Sequence, residues 1–148
     1  MSLEKMFKQI YIILFLSFHF ICKAINTEES GMRVIEIMIK NEHYKVELEN
    51  NRSVDVFLER LPLKIKMKEL NENEKYGIIS PKIPNDSSYS GNIEAGDLML
   101  YGNDCLVLFY KSFYTTYRYT KLGKVIEKDK IEKNIGKDDY NLEIIFTK

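Results

Sequence analysis

Tryptophan is missing from these 148 residues, and histidine and cysteine occur only twice each. A metal centre needs clustered His, Cys or carboxylate ligands, so no metal site is expected. The seven glycines form no phosphate-cradling loop. No nucleophile stands beside a base, so neither a cofactor nor a catalytic residue is expected. An excess of one charge is also missing, since 22 lysines and arginines balance 22 aspartates and glutamates. Such a chain projects no long-range positive field, and nucleic acid is not an expected partner. The absent tryptophan accompanies abundant Lys, Asn and Ile, as AT-rich coding produces, and carries no functional weight. What remains, 45% hydrophobic and 30% charged residues, is the composition of one globular domain.

A long hydrophobic run is lacking too. The longest, Ile10 to Ile21, falls short of the roughly 20 apolar residues of a spanning helix. Lys5 and Lys8 precede it and Cys22-Lys23-Ala24 follows, the order of a secretory signal peptide. Residues 1–24 are therefore read as an export signal. An uncleaved N-terminal anchor is the alternative, and a wrongly placed start or a buried helix is a third. His19, Phe20 and Ile21 do not suit the pocket that recognises a lipoprotein cysteine, so lipidation of Cys22 is rejected. Residues 25–31 are a short linker and 32–148 the folded domain. Cleavage after Ala24 leaves Cys105 as the single cysteine, so the fold rests on its core without an internal disulfide. The expected product is an exported monomer (periplasmic, extracellular or envelope-associated), touching a membrane only through an uncleaved segment.

Within the domain, Ile35, Ile37 and Ile39 alternate along one strand, and Tyr44, Val46 and Leu48 along another, with a turn at Asn41-Glu42-His43. Ser53 is a candidate N-cap for a short helix whose stripe is Val54, Phe57, Leu58 and Leu61, stopped by Pro62. Leu63, Ile65 and Met67 alternate with Lys64, Lys66 and Lys68, a lysine row that reads as solvated surface blunting a strand edge. Asn71-Glu72-Asn73-Glu74 is a loop into Lys75–Ile79, and Pro81 to Gly91 is the one long loop. Leu98–Tyr101 and Cys105–Tyr110 form a hairpin across Gly102-Asn103-Asp104. Its apolar residues on both faces imply cover on both sides, as in a barrel capped by helices, with Cys105 a small buried hydrophobe. An aromatic run, Phe113 to Thr120, precedes a separate short strand at Lys121–Ile126. A helical turn or two at Ile131–Ile135 ends at Gly136, and Leu142, Ile144 and Phe146 alternate on a closing strand. About eight strands and two short helices result, the content of a small mixed barrel.

Several segments also resemble, in order, the bacterial cyclophilin-like proteins: Leu61-Pro62-Leu63, Met67-Lys68-Glu69-Leu70-Asn71, Asn73-Glu74-Lys75-Tyr76-Gly77, Gly96–Gly102, Cys105–Phe113 and Tyr117–Gly123. The resemblance spans about Met32 to Lys148. It implies a mainly β fold, a closed eight-stranded barrel capped by two short helices. For function it implies less, because fold does not carry activity with it. Cyclophilins isomerise the bond before proline with an arginine in a Phe-His-Arg-Val-Ile type motif. Here the strand after the first helix, Leu63–Leu70, carries lysines and no arginine, and lysine lacks the planar fork of donors. The Asn-Gly-Ser-Gln-Phe-Phe run of cyclophilins is replaced by Cys105-Leu106-Val107-Leu108-Phe109.

The aromatic residues are the one candidate site. A small barrel cannot take every ring inward, and tyrosine offers an apolar body with a polar tip. Tyr76, Tyr101, Phe109, Phe113, Tyr117 and Arg118 are therefore the expected lining of a groove for a peptide or small apolar ligand. Core filling is the competing account of the same rings. His43, in a turn, is incidental. A non-enzymatic binding module is the leading expectation. A weak prolyl isomerase, an enzyme of another class or a structural partner are the alternatives.

Overall fold

The computed structural model describes residues 31–148; the proposed export segment and most of the linker lie outside the described residues. The chain forms β1 (Arg33–Ile39), β2 (Glu42–Leu48), α1 (Arg52–Glu59), β3 (Leu63–Leu70), β4 (Glu74–Ile78), β5 (Ser88–Ile93), β6 (Asp97–Tyr101), β7 (Cys105–Phe109), β8 (Phe113–Val125), α2 (Lys128–Asn134) and β9 (Asn141–Thr147). The strand order β2-β1-β9-β3-β4-β7-β6-β8 closes through a further pairing of β2 with β8, giving an eight-stranded antiparallel barrel. β5 lies outside this ring and pairs with the first half of β8.

The first hairpin turns tighter than its polar residues suggest. Ile39 pairs with Glu42, so Lys40 and Asn41 alone make the turn, at φ 50° and 66°. Positive φ at both central residues is what matches a two-residue turn to the strand twist. His43 is thereby drawn into β2, where its Nδ1 lies 2.7 Å from Glu36 Oε1 on the surface.

α1 is capped by Asn51, not Ser53: the Asn51 side chain accepts a bond from the Val54 amide at 3.0 Å and donates to Lys121 O at 2.8 Å. Ser53 is buried within the first turn. Val54 and Phe57 enter the core, with Phe57 edge-on to Phe146 at 5.8 Å. Arg33, at the start of β1, reaches Asp55 of α1, whereas Lys40, beyond its end, donates to Asn134 O of α2 at 3.0 Å. The two helices therefore sit at opposite ends of the barrel.

β3 is not an edge strand. It pairs with β9 along Leu63–Lys68 and with β4 along Lys68–Leu70, so its lysines are the wet face of an internal strand. Lys64 meets Glu143 across that face at 2.8 Å. Nor is β8 interrupted at Lys121; it runs unbroken for 13 residues. Gly123 marks barrel closure, since a Cβ there would stand 2.4 Å from Glu47 O of β2.

Leu98, Leu100, Leu106 and Leu108 fill the barrel interior with Ile37, Val46 and Phe146. Met99, Val107 and Phe109 point the other way, into a second cluster with Ile93 and Tyr119. The hairpin is covered on both sides, but its outer cover is the β5–β8 ribbon and not the helices. A ribbon folded over the barrel wall leaves a space between wall and ribbon, and the candidate site lies there.

Candidate functional site

Residues directly opposite each other in an antiparallel ladder share a face. On β4, β7 and β6 the register places Glu74 opposite Phe109, Tyr76 beside Val107 and Met99, and Ile78 beside Cys105 and Tyr101. This grid is the outer wall. β8 brings Tyr119 and Phe113 over it. Phe109 is the buried hub, 5.5 Å from Phe113 and 5.5 Å edge-on to Tyr119. Tyr119 lies 5.5 Å from Tyr101, which meets Tyr117 edge-on at 6.3 Å.

Between wall and ribbon is a pocket of about 580 Å³. Tyr76, Tyr101, Phe113 and Tyr117 line it, as do Glu74, Cys105, Val107, Tyr119 and the polar Asn71, Thr115 and Thr116. Of the six residues expected from sequence, four come together in this lining. Phe109 is beneath it as packing. Arg118 lies elsewhere: its guanidinium stacks on Tyr89 at 4.6 Å and donates to Ser87 O at 2.6 Å. Alternation along β8 turns Arg118 away from the face shared by Tyr117 and Tyr119.

Glu74 is the residue that sequence inspection passed over. It belongs to β4 and not to the preceding loop, which is only Asn71-Glu72-Asn73, with Asn71 and Glu72 both at φ 57°. Its side chain joins the pocket wall while the residue is 6% exposed. Burial, reinforced by the nearby Glu69, raises its pKa from 4.5 to about 7. Burial also raises the Tyr119 hydroxyl to about 12 and pushes the Cys105 thiol upward, with Asp104 and Glu74 adding to the effect. Cys105 is half-buried in the wall rather than enclosed, and a thiol held in its neutral form is a poor nucleophile.

The next residue, Lys75, faces inward and is fully buried. It pairs with Glu69, donates to Gly136 O at 2.7 Å and Asp139 O at 2.8 Å, and stands 5.1 Å from the Tyr110 ring. Tyr110 donates its hydroxyl to Glu69 at 3.0 Å. That network ties the barrel to the segment after α2 and leaves Glu74 without a basic neighbour in the pocket. Among the described residues, no group of three His, Cys, Asp or Glu side chains could hold a metal ion. No helix among them is long and apolar enough to cross a membrane.

The sequence profile of the cyclophilin-like family matches residues 37–146. The chain belongs to the cyclophilin-like family. The cyclophilin-like domain is similar in fold to the hypothetical protein AF2241 from Archaeoglobus fulgidus, with TM-score 0.57 and 15% identity over 82% of this chain and 98% of that one. It is also similar to McbB, solved in complex with tryptophan, with TM-score 0.54 and 14% identity over 77% of this chain. The match covers 44% of the McbB chain, so the cyclophilin-like domain spans less than half of that protein. No curated protein matches the sequence.

Proposed function

We propose that this cyclophilin-like domain is an exported, monomeric binding module that seats a small ligand or one peptide side chain in the pocket beneath the β5–β8 ribbon, without prolyl isomerase chemistry. The observation that carries this reading is the lining itself. Five aromatic side chains besides Tyr114 (Tyr76, Tyr101, Phe113, Tyr117 and Tyr119) converge with one carboxylate, and no arginine is among them. A concave, mainly apolar surface with a few directed polar groups is the usual form of a small-ligand site. Isomerisation by a guanidinium near the proline nitrogen has no donor in this pocket. McbB was solved in complex with tryptophan; at 14% identity that likeness extends to fold, and the proposal rests on the pocket of this chain.

The test is prolyl isomerisation of a proline tetrapeptide panel, measured against the uncatalysed rate with the chain recovered after export. The expected result is no acceleration, from a polypeptide whose mass begins at Ile25. Acceleration that Phe113→Ala abolishes would make the domain an isomerase instead, and a mass retaining residues 1–24 would make the segment an anchor.

A further inference from the structure

The charge of the pocket narrows its ligand beyond the word apolar. Its lining holds Glu74 as the one ionisable carboxylate and contains neither lysine nor arginine. The nearest buried ammonium, Lys75, faces the barrel interior and is held by Glu69 and two carbonyls. Around Glu74 the registers place Leu70 on β3, Tyr76 on its own strand and Phe109 on β7, with Tyr119 of β8 in the same pocket. The cation of that face is Lys68 of β3, opposite Tyr76, which is exposed and does not line the pocket. No protein hydrogen bond to its carboxylate accompanies this burial among the described residues, in contrast to Glu69, which receives bonds from both Lys75 and Tyr110.

Resting on the binding reading above, we infer that the pocket selects an organic cation, an ammonium carried on an aromatic or alkyl body, with the ammonium against Glu74 and the body between the tyrosine rings. Two independent features converge on that chemistry. A buried carboxylate without a partner is costly and gains most from an incoming donor that is itself charged. Ring faces attract a desolvated cation through their quadrupoles, and aromatic cages use this to hold ammonium groups. An anionic ligand would meet repulsion from Glu74 with no cation in the pocket lining to offset it. The raised pKa of Glu74 has the same origin, since burial favours its protonated form. Glu69 on β3 adds to that rise, and Glu74 in turn helps to raise the Cys105 thiol on β7 and the Tyr119 hydroxyl on β8.

Because the protein has no tryptophan, indole probes report their own binding by fluorescence polarisation. Three of similar shape differ in charge: tryptamine, tryptophol and indole-3-propionate. For the purified full chain at pH 8, the expected order is tryptamine about ten-fold tighter than tryptophol, with indole-3-propionate weakest. In Glu74→Gln the tryptamine-to-tryptophol ratio should fall several-fold, leaving only the preference that the ring faces supply. Equal affinities for tryptamine and tryptophol in the unsubstituted chain would overturn the cation inference and leave the binding module standing. Binding of none of the three would overturn both. Tighter binding of indole-3-propionate would show that Glu74 does not govern the site.

Discussion

Glu74 offers a stability test that needs no ligand. In the unfolded chain its carboxyl ionises near 4.5, and in the folded domain near 7, chiefly because of burial. Well below 4.5 it is protonated in both states and pH has no leverage through it. Between the two values the folded domain keeps a proton that the unfolded chain has released, so stability falls as pH rises. Above 7 both states are ionised and the loss is complete. At 1.36 kcal/mol per unit, the loss is about 3 kcal/mol. Glu74→Gln keeps the shape and removes the charge. Its stability should exceed that of the unsubstituted chain by about 3 kcal/mol at pH 8 and converge with it as pH approaches 4.5. For a urea slope of about 1–2 kcal/mol/M, the gap at pH 8 is a midpoint shift of about 2 M. Unfolding followed by circular dichroism across this range gives both curves, and groups common to the two proteins cancel in their difference. Parallel curves would refute the reasoning, because they would mean that Glu74 ionises alike in folded and unfolded chains.

Two further substitutions probe the two sides of the wall. Phe109→Ala removes the hub that joins Phe113 to Tyr119 and should cost about 3–5 kcal/mol; an unchanged urea midpoint would mean that the ribbon is not packed on the barrel. Lys75→Met leaves Glu69 buried without its ammonium and should also cost about 3–5 kcal/mol. Adding Glu69→Gln should recover part of that loss, and strict additivity of the two changes would show that they do not interact.

The barrel was legible where burial is one-sided. Ile35, Ile37 and Ile39, or Ile65 and Met67 among their lysines, repeat with period two because one face meets the core and the other water. β5 carries no such signal. Its sequence, Ser-Tyr-Ser-Gly-Asn-Ile, buries only Ile93 well, and its existence follows from pairing with a distant strand. β8 reads as two pieces, an aromatic run to Thr120 and a short strand from Lys121, yet it is continuous, and its Gly123 answers to the close approach of the Glu47 carbonyl. Four of the six expected site residues share the pocket because aromatic excess is a compositional signal. Glu74 sits in a run of Asn and Glu that reads as loop, and only the register opposite Phe109 assigns it to the wall. Arg118 fails by parity. One step along a strand reverses the side-chain direction, and no local signal distinguishes Tyr117 from its neighbour.

That parity also decides where a ligand can go. An eight-stranded barrel has an interior just wide enough for its own side chains, and here Leu98, Leu100, Leu106 and Leu108 are wholly buried within it. The proposed ligand is therefore assigned to the outer wall, where a barrel strand would ordinarily be polar. β6 and β7 instead present Met99, Val107 and Phe109 outward, which is tolerable only because the β5–β8 ribbon covers them. The cover is incomplete: Phe109 and Tyr119 are sealed, whereas Tyr101 and Tyr117 remain exposed. Glu74 stands in the same wall, in the row of Phe109, with no cation in the pocket lining to answer it. A carboxylate whose burial is expected to cost stability, where an amide of the same shape would not, has a physical purpose if an incoming charge meets it.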